Sequence, residues 1–569
     1  MIATSTTTSF QDFEYVRPDL ESLEKEFREV LGAIKVAKSL ADAKQGILAI
    51  DQLRGRIATM SNICHIRYTI NTKDEFYAAE KDWGDQHYPA TEAWKKDFYE
   101  LLLNHPLRAE LEAEFGQQLF KIAELSMVTF RPEILPDLQQ ENKLSSEFVQ
   151  LKASAEIELD GETYNLSQIH TKEIDPDRAI RRRAAKAKWR WYAEKQDELD
   201  GIFDGLVKTR TAAARSLGFD NFVELGYARM LRTDYNEQMV KQFRRQVVEH
   251  IVPLANQLYE RQRERLGLEE LHYYDENFRF PGGNPKPQGP PDWILDQARG
   301  MYDELAPETS QFFRLLEDRN LMDVVAKDGK ATGGYCTYIS DHGAPFIFSN
   351  FNGTSGDIDV LTHEFGHAFQ VYSSRHLKPL EYNWPTYEAC EIHSMSMEFF
   401  TYPWMDKFFG PDSEKYYFSH LAGAVRFIPY GVAVDEFQHR IYAEPDLSPA
   451  QRHAVWRELE EKYLPHRNYA GNEFLEQGAF WIRQNHIFSA PFYYIDYCLA
   501  QICAFQFWAR DRQDHSSAWN DYLRLCKAGG SKSFLGLVKL AGLKSPFAAG
   551  TVEQTLGVVR EELNAVNGF

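Results

Sequence analysis

The sequence predicts a mainly α fold with one small β-sheet in its second half. Two observations lead there. Apolar residues recur at helical spacing along most of the 569 residues. Only two stretches, near 155–169 and 324–354, alternate and are punctuated by Asp-Gly and Gly-Gly pairs, as strands and turns are.

Taken in order, Pro18-Asp19 precedes Leu23, Phe27, Val30, Leu31 and Ile34, a helical rhythm behind a capping residue. Amphipathic stretches continue to about residue 125. AEIELDGETYNLSQI then reads as a β-hairpin turning at Asp160-Gly161. Helical pattern returns from Pro176 to Leu266. Inside it the basic run Arg181 to Arg190, interleaved with Ala184, Ala185 and Ala187, predicts a solvated helix face and no nucleic-acid patch. PGGNPKPQGPP, from Pro281 to Pro291, predicts a surface loop. Residues 324 to 354 predict the small sheet, and the run from Phe346 to Asn350 is expected to present an edge strand that an extended peptide can pair with. From Asp357 onward the pattern is helical.

Composition narrows the class. Hydrophobic residues at 43% and charged residues at 26% are ordinary for a soluble globular chain, and no apolar run is long enough to span a bilayer. A formal charge of -20 disfavours nucleic acid and anionic membrane as partners. Six cysteines lack CxxC spacing, which argues against a disulfide framework and a cysteine zinc site. The first twenty residues show no basic start followed by an apolar stretch, so no secretory signal and a cytoplasmic location are expected.

The chemistry concentrates in His363-Glu364-Phe365-Gly366-His367. Ile358, Leu361, Phe365, Phe369 and Tyr372 place this segment on a helix, with the two histidines one turn apart on one face. Both imidazoles can then reach one cation at about 2.0–2.1 Å, with Glu364 beside the ion as a base. A third ligand is required. The metzincin pattern would need glycine at 370 and histidine at 373, where this chain has Gln370 and Ser373. The acidic segment TYEACEIHSMSMEFF offers Glu388, Glu391 and Glu398 on one helical face among apolar neighbours. One of these can ligate the metal while another accepts a histidine N–H.

HEFGH followed by EIHSMSME resembles the thimet-oligopeptidase and oligoendopeptidase F family of zinc peptidases. The resemblance implies one Zn²⁺ held by His363, His367 and Glu391, with Glu364 as general base and Glu398 supporting a ligand. Glu388 receives no family role and stays the fallback ligand. His393 departs from the small residue or proline expected there, and is either a core or a cleft histidine. NHIFSAPFYYIDYCLAQ resembles the family's histidine-and-tyrosine segment, which donates to the substrate carbonyl as it becomes an oxyanion. His486, Tyr494 and Tyr497 are the best matches, with Tyr493 the alternative to Tyr494. By the same resemblance the helical lobes, two of them, enclose a deep channel, and the substrates are short unfolded peptides cut internally. The expected division is an N-terminal helical region with a hairpin over 1–175 and a catalytic zinc-peptidase region over 176–569. Two other readings compete: a zinc exopeptidase of carboxypeptidase or dipeptidase type, and a non-catalytic peptide-binding helical scaffold. The joint presence of His363, Glu364, His367 and Glu391 weighs against the scaffold.

Overall fold

The structure, a computed structural model, describes residues 8–565. The expectation of no secretory signal rests in part on residues 1–7, which lie outside the described residues. Helices dominate, and the described residues contain two small sheets.

Helix α1 (Leu20–Val36) starts where expected, because the Asp19 carboxylate accepts from the Ser22 backbone N–H at 3.1 Å. Its Phe27 and Ile34 are buried, as the apolar rhythm requires. Ser39 caps α2 (Leu40–Ile70) in the same way. These helices and the segments through Ala123 pack a core of their own, joined by Tyr382 from far along the chain. A second, larger core holds most of the remaining buried apolar residues. Helix α3 (Leu135–Ala153) precedes the predicted hairpin, β1 (Ile157–Leu159) and β2 (Glu162–Tyr164). Leu159 pairs with Glu162, and the two turn residues Asp160 and Gly161 have φ of 53° and 87°. That is the left-handed backbone an Asp-Gly turn supplies.

Helix α4 (Arg178–Glu194) carries the basic run and corrects part of its reading. Arg182, Arg183, Lys186 and Arg190 face solvent as expected. Arg181 instead is buried and pairs with Asp275 at 2.9 Å, while half-buried Lys188 pairs with Glu173 at 2.9 Å. The acids that draw them inward come from other segments, so no local pattern announces them. The Pro- and Gly-rich stretch is a loop, and Pro291 opens the next helix, where its missing N–H is harmless.

The second sheet has strand order β3 (Met322–Val325), β5 (Ala344–Phe351), β4 (Tyr335–Ile339), with β3 parallel and β4 antiparallel to β5. The expectation for Phe346 to Asn350 is therefore overturned: these residues lie in the central strand, with both edges already paired. The reason is β3, whose parallel pairing with β5 closes over a connection that contains β4, an order that local alternation does not reveal. The outer edges belong to β3 and β4, and α2 reaches β4 through Asn62, whose side-chain amide donates to the Tyr338 carbonyl at 2.9 Å.

After β5 come α5 (Gly356–Ser374), α6 (Tyr387–Phe400), α7 (Ser413–Ala443) and α8 (Tyr494–Asp511), which build the site. Among the described residues no helix is long and apolar enough to cross a membrane.

Candidate metal centre

The site begins with the anchoring of α5. Asp357 accepts from the backbone N–H groups of Asn352 and Gly353 at 2.9 and 2.8 Å, fixing the turn that leads β5 into the helix. The far side of α5 is packed: Phe365 stacks on Tyr302 with ring centroids 3.6 Å apart. The face that remains carries His363 and His367.

Helix α6 crosses α5 at very short range. A methyl group built on Gly366 would lie 2.7 Å from the carbonyl oxygen of His393 and 2.7 Å from Cα of Ser394. Only glycine allows this approach. It brings Glu391, fully buried, against both histidines: its Oε2 lies 3.2 Å from His363 Nε2 and 3.3 Å from His367 Nε2. All three atoms lie within 4.8 Å of one another. Ligands at about 2.0–2.1 Å around a tetrahedral ion sit roughly 3.3 Å apart, so these separations fit such an ion. Burial opposes ionisation of Glu391, but His367 and His363 outweigh it and hold the carboxyl well below its usual range. A carboxylate that is to hold a metal must be deprotonated, and the direction of this shift favours that form.

The remaining polar atoms of the ligands are engaged in ways that aim them. His363 Nδ1 lies 2.7 Å from Glu398 Oε1, so Nδ1–H donates there and the Nε2 lone pair faces the site. The other oxygen of Glu398 accepts from His420 Nε2 at 2.7 Å, and His420 Nδ1 accepts from the Tyr402 hydroxyl at 2.6 Å. Glu391 is held by the Ser394 hydroxyl at 2.8 Å on Oε2 and by the Tyr493 hydroxyl on Oε1.

Glu364 is buried, and its Oε2 has no hydrogen-bond partner among the described residues. Burial raises its pKa, against the pull of His363 and His367. Gly334, just before β4, makes room for it: a methyl group there would sit 3.3 Å from Glu364 Oε1.

The histidine-and-tyrosine segment folds against the same point. Gln484 Nε2 donates to His486 Nδ1 at 2.8 Å, leaving Nε2–H to donate to the Tyr497 oxygen at 3.1 Å. Burial pushes the His486 imidazole down to about 4, so it is neutral near pH 7. The Tyr497 ring stacks on Tyr493 at 5.1 Å and lies 6.5 Å from the His363 ring. Tyr494 sits 5.0 Å from the His486 ring and edge-on to Tyr430 at 5.8 Å. The tyrosine that bonds a member of the metal-ligand cluster is thus Tyr493.

Glu388 is not in the cluster. It is buried, and burial together with Asp496 pushes its pKa well up. His393 is fully buried, which makes it a core residue. Sequence reasoning missed His420, Gln484 and Ser394. Ser394 stands one turn from Glu391 and was open to inference; His420 and Gln484 carry no motif.

Comparison with known proteins identifies the family. A model described as Peptidase M3 N-terminal domain matches residues 10–130, and one described as Peptidase family M3 matches residues 173–280 and 311–556. The chain belongs to peptidase family M3, and is a peptidase. Within the family its relatives are of the oligoendopeptidase F branch. It is 22% identical to oligopeptidase PepF of Bacillus subtilis (strain 168), over 93% of this chain and 82% of that protein. It is 54% identical to PZ peptidase A, solved with an inhibitor, at a TM-score of 0.97 over 98% of this chain and 99% of that one. Oligoendopeptidase-F from Enterococcus faecium, 17% identical, shares the fold at a TM-score of 0.63 over 96% and 98% of the two chains.

Proposed function

We propose that this peptidase is a zinc-dependent endopeptidase that hydrolyses internal bonds of short, unfolded peptides. The observation that carries the reading is the convergence of His363 Nε2 and His367 Nε2 on one oxygen of Glu391, at 3.2 and 3.3 Å. His363, His367 and Glu391 would hold the ion, and two imidazoles with a carboxylate suit zinc. When bound, zinc supplies a Lewis acid that lowers the pKa of a water from 15.7 to about 7.

The chain's own groups do the rest. Glu364 takes the water's proton and passes it to the leaving amine; burial raises its pKa, which moves it toward the range where a base works best. His486 donates to the Tyr497 oxygen, which leaves the phenol proton free for the developing oxyanion. Tyr493 and Ser394 keep Glu391 in place, and Glu398 fixes the tautomer and orientation of His363. The similar proteins named oligopeptidase and oligoendopeptidase support internal cleavage of short peptides. All six cysteines are free, which favours action in the cytoplasm.

Zinc analysis of the purified protein, with chelator-sensitive cleavage of N-acetylated, C-amidated peptides of graded length followed by mass spectrometry, tests the reading. One equivalent of zinc and internal cuts are expected. Cleavage confined to peptides with a free end would assign an exopeptidase instead. A zinc-loaded protein that cuts nothing would leave only a peptide-binding scaffold.

A further inference from the structure

A cavity of about 370 Å³ lies between the end of α3, the segment 483–486 and the glycines before β4. His486 forms part of its wall, and so does Gly333, the neighbour of the Gly334 that packs on Glu364. Its wall thus includes the histidine that bonds the proposed oxyanion donor, Tyr497, and the neighbour of the glycine beside the base.

The cavity's charge is unusual for this chain. Lys152, Lys188, Arg483 and His170 all line it. The nearby carboxylate of Glu173 is already engaged, by Lys188 at 2.9 Å and His170 at 3.4 Å. Among the described residues no carboxylate lies within the 4.0 Å of an ion pair from either Lys152 or Arg483. In a protein with 84 acidic against 64 basic residues, two neighbouring cations with no carboxylate at contact distance call for a reason; Glu276 acts on Arg483 only from farther off. Burying an unpaired charge is unfavourable, and Lys152 is only 7% exposed.

The two side chains are also held in position. The Lys152 ammonium donates to the Arg483 carbonyl at 2.8 Å and to the Asn485 side chain, which leaves its third N–H uncommitted. The Arg483 guanidinium lies over the Phe480 ring at 4.2 Å. Burial, with Arg483 and Lys188 nearby, pushes the Lys152 ammonium down to about 7. An anion entering the cavity would reverse that.

We propose that Lys152 and Arg483 form a subsite that binds a carboxylate of the substrate peptide. This rests on the peptidase reading above and deepens it: the favoured substrates are peptides that place an anionic group at a fixed distance from the cleaved bond. The group is either the free C-terminal carboxylate or an Asp or Glu side chain, which share this chemistry.

The test compares matched peptides ending in a free acid or an amide, and amidated peptides with a single Glu moved along the sequence. Wild-type kcat/KM is expected to favour the carboxylate-bearing peptide by roughly tenfold or more, mostly through KM, as for a charged hydrogen-bonded contact. The ratio should fall toward one in Lys152→Met and in Arg483→Gln. The second variant keeps the Lys152 bonds that hold the 483–486 segment, so a folding defect in the first does not decide the matter. A preference that follows the terminus assigns the C-terminal carboxylate; one that follows Glu at a single position assigns a side chain. Calorimetric binding of the same peptides to Glu364→Gln reads the subsite without turnover, which separates its failure from a failure of catalysis. Equal binding and cleavage of all the peptides, or a preference that survives both substitutions, would overturn the proposal.

Discussion

Gly366 and Ser394 bring two helix backbones together so closely that a single methyl group on Gly366 would lie 2.7 Å from the Ser394 Cα. The neighbours at that spot are backbone atoms, which cannot turn aside as a flexible side chain can. Gly366→Ala is therefore expected to push α6 away from α5, at about 1–3 kcal/mol of stability, and to separate Glu391 from the histidines. A denaturant melt together with zinc content measures both. A variant with unchanged zinc affinity would show that the helix contact does not set the ligand spacing.

Glu398 spans His363 and His420, so its removal frees the ring of a ligand and strands the second histidine. Glu398→Ala is expected to weaken metal binding by roughly 10- to 100-fold, read by competition with a chelator. His420→Ala should act in the same direction but less, because Glu398 keeps its bond to His363.

The tyrosines divide by task. Tyr497→Phe removes the phenol next to His486 and should lower kcat by roughly 10²–10³ with little change in bound metal. Tyr493→Phe removes a donor to Glu391 and should show mainly as weaker metal binding. A Tyr494→Phe enzyme with the wild-type kcat would take that residue out of the oxyanion assignment.

Lys152 predicts a pH effect on stability. Its folded pKa is lowered to about 7, against an ordinary lysine value near 10.4. Between those values the unfolded chain holds the proton that the folded chain has released, so this residue's contribution becomes more favourable as pH rises from about 7 to 10. Below 7 both states are charged and the penalty of the buried cation is complete. The stability of the wild type relative to Lys152→Met should thus increase by a few kcal/mol between pH 6.5 and 10 in denaturant melts. A difference independent of pH would mean that Lys152 keeps its charge in the folded protein.

What could be read in advance follows sequence distance. The histidine pair and Glu364 were legible because a helix repeats every few residues, and the Asp160-Gly161 turn because its backbone demand is local. Glu391 was one of three acids on a face until a resemblance singled it out; the close approach at Gly366 is what selects it physically. Arg181 was read as solvated because its partner, Asp275, lies 94 residues away. The central place of β5 was hidden because its parallel partner β3 is separated from it in the sequence by β4. His420 has no neighbour in the sequence that marks it, and only its reach from α7 to Glu398 on α6 gives it a task.

The site's parts come from separate stretches of the fold: two candidate ligands on α5, one on α6, a brace from α7 and a phenol from just before α8. An ion at their meeting point would act as a rivet between segments already tied there by hydrogen bonds, Glu398 to His363 and His420 and Tyr493 to Glu391. Its binding energy is then also cohesion of the folded chain, worth about 2.7 kcal/mol when free metal is a hundredfold above its dissociation constant. The melting temperature should accordingly climb with added zinc and drop on chelation, so a thermal scan can report occupancy of the centre before any substrate is known.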